Sequence, residues 1–245
     1  MTDPIPAPPA TLAHGGALLL DFDGTLVDLA ETPDAIRVDA GFSALLDRLH
    51  GRFAGRLAIV TGRSLADLER HIGDVGAVVS GSHGFEVRAQ GRTLTGAVPE
   101  GLAAARRELA GLAAADPRLV CEEKPGSVAL HFRRAAERAG EIGEVAEALA
   151  ARHSLRLQGG KMVVELLPHG VDKGTAVARI MAEPPFAGAR PVFMGDDLTD
   201  EHGFAAAAAM GGDGILVGPP RQTAARWRLP NVAAARAWLE EAADG

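Results

Sequence analysis

GALLLDFDGTLVDLAETPD, residues 16–34, ends a short apolar run on two carboxylates, Asp21 and Asp23, held apart by one phenylalanine and followed by Gly24 and Thr25. An unbroken apolar run of this length reads as a strand buried on both faces, the hallmark of a parallel sheet. RLAIVTGR (56–63), AVVSGS (77–82) and PVFMGDD (191–197) repeat the pattern, and ILVG (215–218) makes a fifth strand. Between the first two, GFSALLDRLHGRF (41–53) sets Leu45, Leu46 and Leu49 at helical spacing. After the second, SLADLERHIG (64–73) does the same with Leu65, Leu68 and Ile72, and Ser64 stands where a cap belongs. Alternating strands and helices predict an α/β fold, a doubly wound parallel sheet.

The middle of the chain has another grammar. A helix over 100–115 precedes two strands, LVCEEK and SVALHFR, around the Pro125–Gly126 turn. A helix from about Glu137 to His153 precedes LRLQ and MVVELL, which flank Gly159–Gly160. This αββαββ order predicts an antiparallel sheet with helices on one face, inserted as a cap. The expected organisation is a leader over 1–16, a core over 17–97 plus 168–245, and the cap over 98–167. The Pro/Ala-rich opening reads as a floppy leader. Gly96 and Pro99 on one side, and Pro168, His169 and Gly170 on the other, suit crossings between the two parts.

The composition narrows the function. Its 245 residues are 47% hydrophobic and 23% charged, ordinary for a globular protein. A net charge of −7 disfavours nucleic acid as a partner. No apolar run reaches a membrane span, and the single cysteine, Cys121, excludes an internal disulfide and suits a reducing interior. The expectation is a cytoplasmic monomer acting on a small molecule, with neither nucleic acid nor membrane as partner.

Ligands of open parallel sheets bind beyond the carboxyl ends of the strands. Asp21, Asp23, Thr61, Asp196 and Asp197 all fall at such ends. Carboxylates gathered on one rim repel unless a cation neutralises them. An oxygen-only set favours Mg²⁺ shared with phosphate oxygens, and Lys173, opening a helix in VDKGTAV, supplies a second positive charge. Each piece alone has a plainer reading. Asp-Gly is a common turn, Thr61–Gly62 is a plausible strand exit, and Asp200 with Glu201 suits a helix N-terminus. Taken together and in this order, the pieces describe a phosphate site.

The succession DFDGT, VTGR, DKG and GDDLTDE resembles the four-motif set of haloacid dehalogenase-like (HAD) phosphatases. That resemblance implies a Rossmann-like core with a C2-type cap. It implies that Asp21 is the nucleophile and Asp23 the general acid/base, that Thr61 bonds the transferring phosphoryl group, and that Lys173 steadies nucleophile and phosphate. Asp196 would complete a Mg²⁺ site shared with Asp21 and with the backbone carbonyl of Asp23, with Gly62, Asp197 and Asp200 in support.

In the cap, EEKPGSVALHFR places Glu122, Lys124, Ser127, His131 and Arg133 around a hairpin, and GKMVVELLP adds Lys161 and Glu165. Period-two alternation gives Glu122 and Lys124 one face, and pairs His131 with Arg133. Such a mixture suits a polyhydroxylated ligand; it equally suits a solvated face. The pattern Glu122, Lys124, Ser127, His131, Arg133, with GSHGFEVR (81–88), resembles the trehalose-6-phosphate phosphatase family from Leu18 to about Gly218. The resemblance implies that Glu122, Lys124 and Glu165 contact disaccharide hydroxyls, with Arg63 and His83 nearer a core–cap crevice. It also implies a trehalose-6-phosphate synthase in the same cell, with no implied contact. Leu167 and Phe85 depart from the family pattern. Sucrose phosphate or mannosyl-3-phosphoglycerate hydrolysis, a phosphomutase and a non-catalytic sugar-phosphate sensor are the alternatives.

Overall fold

The structure, a computed structural model, describes residues 5–30, 36–160 and 162–245. The chain forms two compact units: one runs to Leu94 and resumes over Asp172–Gly245, and the other is Thr95–Val171. The insertion expected over 98–167 therefore begins and ends a few residues further out.

In the first unit the chain forms β1 (Ala17–Leu20), α1 (Phe42–Arg52), β2 (Leu57–Val60), α2 (Leu65–Ile72), β3 (Val78–Gly81), β4 (Glu86–Ala89) and β5 (Arg92–Thr95). The second unit follows, with α3 (Leu102–Ala115), β6 (Val120–Glu123), β7 (Val128–His131), α4 (Ala139–His153), β8 (Arg156–Gly160) and β9 (Val163–Leu167). The first resumes with α5 (Lys173–Met181), β10 (Pro191–Gly195), α6 (Asp200–Ala209), β11 (Asp213–Val217), β12 (Trp227–Leu229) and α7 (Val232–Asp244).

The large sheet has the order β12-β11-β10-β1-β2-β3-β4-β5, parallel from β12 to β3, with β4 antiparallel to β3. Its central strands β1, β2, β10 and β11 are buried along their whole length because both faces are covered. Leu18 and Leu20 join the layer containing Leu45, Leu68 and Trp238, from α1, α2 and α7. Ala17 and Leu19 join Val177 and Phe204, from α5 and α6. Each fully buried leucine contributes about 2 kcal/mol through removal from water.

β4, β5, β12 and α7 add to the elements that the apolar patterns predict. The supposed leader is, over residues 5–16, anchored to the core. Leu12 and Ala13 are buried in it, Trp238 Nε1 donates to the Pro9 carbonyl at 3.2 Å, and the Arg228 amide donates to the Pro6 carbonyl at 2.9 Å. Proline and alanine offer little apolar bulk, yet they do not prevent a segment from lying along a core.

In the second unit, β6-β7-β9-β8 pair antiparallel throughout. Val128, Leu130, Val164 and Leu166 face Leu102 and Leu109 of α3 and Ile142 and Leu149 of α4. The αββαββ order is as read, and the helices cover a single face of the sheet. Among the described residues, no helix is long and apolar enough to cross a membrane.

Candidate active site

β1 lies between β10 and β2, with Leu20 opposite Met194 on one side and Ile59 on the other. The residues that leave these three strands therefore emerge side by side. Asp21, one residue past β1, donates its amide to the Met194 carbonyl at 2.8 Å and is buried. Lys173 opens α5, whose first turn is fixed by a capping box between Asp172 and Thr175. Its ammonium, 3% exposed, donates to Asp21 Oδ1 at 2.7 Å and to Asp200 Oδ1 at 2.6 Å.

Asp200 does more than favour a helix N-terminus. Its second oxygen, Oδ2, accepts the backbone amides of Asp196 and Asp197, both at 2.9 Å. One buried carboxylate thus ties the loop after β10 to Lys173. Gly195 lets it approach, since a Cβ there would stand 2.2 Å from the Asp200 carboxyl carbon. Gly24, at φ +76°, does the same for Asp196, whose Oδ2 would lie 2.2 Å from an added Cβ.

Carboxylate oxygens of Asp21, Asp196 and Asp200 lie within 4.8 Å of one another. Burial, then the charges of Asp196 and Asp197, push Asp21 up to about 8 against the pull of Lys173. Burial, then Asp200 and Asp197, push Asp196 up to about 7. Burial and the charge of Asp21 raise Asp200 well above the carboxylate range. Burial opposes the charge on Lys173, yet Asp200 and Asp21 raise it further. One ammonium does not balance this many acids, and an all-oxygen donor set in that deficit fits a hard divalent cation.

Asp23 belongs to a separate arrangement. Arg63 Nε and Nη2 donate to its two carboxylate oxygens at 2.7 and 2.8 Å, a bidentate pair, while Arg63 Nη1 donates to Asp67 at 2.6 Å. Arg63, expected at a crevice for substrate, is mostly buried and holds Asp23. Thr61 is buried beyond β2, and its hydroxyl oxygen accepts the Arg63 amide at 3.1 Å. His83, also expected to meet substrate, is buried with its ring against Gly62, where a Cβ would stand 2.6 Å from His83 Cε1.

The second unit gathers most of the other expected residues on the sheet face opposite α3 and α4. Glu122, Ala129, Glu165 and Gln158 form one row across its strands. Lys124 Nζ lies 3.3 Å from Glu165, which also accepts the Ser127 hydroxyl. His131 Nε2 and Glu122 Oε2 are 2.8 Å apart, and that hydrogen bond holds Glu122 below the usual carboxylate range against partial burial. Arg133 does not share the face of His131. β7 ends at His131, and Arg133 is exposed at the start of a 3₁₀ turn, Arg133–Arg138, so the period-two reading fails there. Lys161 lies outside the described residues.

Three participants went unread. Asp67 anchors Arg63, and its only signal is the i,i+4 spacing. Glu86 accepts hydrogen bonds from Ser82 and from the Leu65 amide. Arg221 donates to the Asp197 carbonyl at 2.6 Å and pairs with Glu201; nothing in its sequence context marks it.

Comparison with known proteins identifies the family. The profile of the family described as Trehalose-phosphatase matches residues 19–231. The chain is 40% identical over 207 residues to a "Probable trehalose-phosphate phosphatase" of Sinorhizobium fredii, covering 83% of this chain and 78% of that protein. It is 35% identical over 243 residues to the "Trehalose-6-phosphate phosphatase" of Escherichia coli, covering 98% and 91%. The crystal structure of a trehalose-6-phosphate phosphatase related protein superposes with a TM-score of 0.79 at 26% identity, covering 93% of this chain and 97% of that one. In fold, the chain also matches a structure described as a haloacid dehalogenase-like hydrolase from Bacteroides thetaiotaomicron, with a TM-score of 0.66 at 15% identity over 92% of this chain, and the mainly parallel sheet is the architecture the four motifs implied. The chain belongs to the trehalose-phosphatase family.

Proposed function

We propose that this chain hydrolyses trehalose 6-phosphate to trehalose and inorganic phosphate, with Mg²⁺ as the cation and an aspartyl-phosphate on Asp21 as intermediate. The observation that carries the reading is the Lys173 ammonium shared between buried Asp21 and Asp200, beside Asp196. A nucleophilic carboxylate, a fixed positive charge and a cation-binding acid meet at adjoining strand ends.

Asp21 attacks phosphorus as the bond to the sugar oxygen breaks, which divides one difficult displacement into two. Asp23 protonates the departing sugar oxygen and then takes a proton from the water that cleaves the acyl-phosphate. The sugar is thereby released as the neutral alcohol, and phosphate leaves in the second step. Lys173 offsets charge on the phosphoryl oxygens and keeps the Asp21 carboxylate aimed, and the Thr61 hydroxyl bonds the transferring group. Asp21, Asp196 and the Asp23 carbonyl, with Asp200 and Asp197 in support, would hold a Mg²⁺ ion, which would further neutralise the phosphoryl charge.

Selectivity for the disaccharide is assigned to Glu122, Lys124, Ser127, His131 and Glu165 of the inserted unit. Paired carboxylates, an ammonium and a hydroxyl on one sheet face are suited to reading many sugar hydroxyls. The one cysteine supports a reducing, cytoplasmic setting. A source of trehalose 6-phosphate, its synthase, is the implied pathway neighbour.

The test is phosphate release with trehalose 6-phosphate, glucose 6-phosphate and sucrose phosphate, each with Mg²⁺ and with EDTA. Preference for trehalose 6-phosphate, lost in EDTA, supports the reading. Equal rates on all three, or full activity in EDTA, overturn it.

A further inference from the structure

Between β3 and β4 the chain reverses through Ser82 and His83, both left-handed at φ 49° and 57°. Two consecutive non-glycine residues in that region store strain that the surroundings must hold in place. What surrounds them is the segment after β2, residues 61–65, which carries Thr61 and Arg63. The Ser82 amide donates to the Arg63 carbonyl at 2.7 Å, the His83 amide to the Thr61 carbonyl at 3.0 Å, and the Thr61 amide to the Ser80 carbonyl at 2.8 Å. Gly81 permits the approach, because a Cβ there would stand 2.9 Å from both the Arg63 carbonyl oxygen and the Leu65 amide.

Glu86 closes this assembly. It is 7% exposed, and its Oε2 accepts from the Ser82 hydroxyl at 2.9 Å and from the Leu65 amide at 3.3 Å. A single buried oxygen therefore bonds the strained turn on one side and the first residue of α2 on the other. Arg63 lies between those two anchor points, and its guanidinium clasps both oxygens of Asp23.

We propose that Glu86 is a positioning residue for the reaction: by locking the Ser82 turn to the start of α2 it fixes the backbone of Arg63 and hence the placement of the Asp23 carboxyl group. This rests on the hydrolytic reading above, in which Asp23 moves the proton. Displacement of a reacting group by about 1 Å costs up to about a hundredfold in rate.

The experiment compares Glu86→Ala, Glu86→Gln, Ser82→Ala, Arg63→Ala and the Arg63→Ala/Glu86→Ala pair in trehalose 6-phosphate hydrolysis, with the Mg²⁺-induced rise in Tm recorded for each. Glu86→Ala is expected to lower kcat at least about tenfold with KM within about twofold, and to keep the Mg²⁺ response. Glu86→Gln, which retains an acceptor oxygen and the volume, recovers most of the rate. The double variant loses no more than Arg63→Ala alone, because both act on one group. Should Glu86→Ala fail to fold, Ser82→Ala takes its place in the same cycle. An unchanged kcat, equal losses in the Ala and Gln variants, or losses that multiply in the double variant would overturn the inference. Absence of trehalose 6-phosphate hydrolysis by the unmodified protein would instead refute the functional reading.

Discussion

Lys173 and Asp200 meet at 2.6 Å with both side chains sealed from solvent, and the same carboxylate receives the amides of Asp196 and Asp197. A residue that reads as a helix-start aspartate is thus the keystone of the loop that presents Asp196. Removing the Asp200 carboxylate leaves the Asp196 and Asp197 amides without their acceptor and Lys173 with Asp21 alone. Asp200→Ala is expected to lower stability by about 3 kcal/mol in urea unfolding and to abolish the Mg²⁺-induced rise in Tm. A variant as stable as wild type that still responds to Mg²⁺ would contradict this.

The acid cluster makes cation binding and pH interdependent. Asp21 is pushed to about 8 and Asp196 to about 7 by burial first and neighbouring acids second. Raised carboxyl values mean that the cation-free protein is favoured below the ordinary carboxylate range and loses that advantage as pH rises through 7 to 8. A cation displaces those protons, so the Mg²⁺-induced rise in Tm grows between about pH 5.5 and about pH 8. Differential scanning fluorimetry checks it, and a shift that shrinks over that interval would be the wrong sign.

Arg63 presents three donors in a fixed fork, two to Asp23 and one to Asp67. Lysine cannot reproduce that fork. Arg63→Lys should reduce kcat by about tenfold or more with a smaller change in KM. Wild-type kcat in steady-state phosphate release would show that the fork is dispensable.

On the inserted sheet, Glu165 is the hub, reached by both Lys124 and Ser127. Glu165→Gln should raise KM for trehalose 6-phosphate about tenfold or more and leave turnover of p-nitrophenyl phosphate, which has no sugar, within about twofold. Parallel losses on both substrates would remove Glu165 from sugar recognition.

The parts of the fold that announced themselves are those in which one physical demand governs every position. Leu18, Leu19 and Leu20 must all be apolar because the strand is covered on both faces, and Asp21 stands out against them. β4 and β5 gave no such signal, since Glu86, Arg88 and Arg92 interrupt any apolar run and β5 is exposed along its length. The turn at Ser82–His83 is held by backbone amides and by Glu86, whose partners come from a different stretch of chain, so its role is invisible locally. Arg63 shows the same limit. Its fork to Asp23 and Asp67 depends on how β1 and α2 pack, which no local pattern reveals. Arg133 illustrates the opposite failure, where a regular alternation was carried past the point at which the strand ends.

In the proposed reaction, one buried aspartate at the tip of β1, Asp21, forms and breaks a bond to phosphorus. The direct measurement is steady-state phosphate release from trehalose 6-phosphate by Asp21→Asn, with circular dichroism confirming its fold. The expected rate is lower than wild type by about 10⁴-fold or more, with the spectrum unchanged. A folded Asp21→Asn protein within about tenfold of wild type would contradict the account.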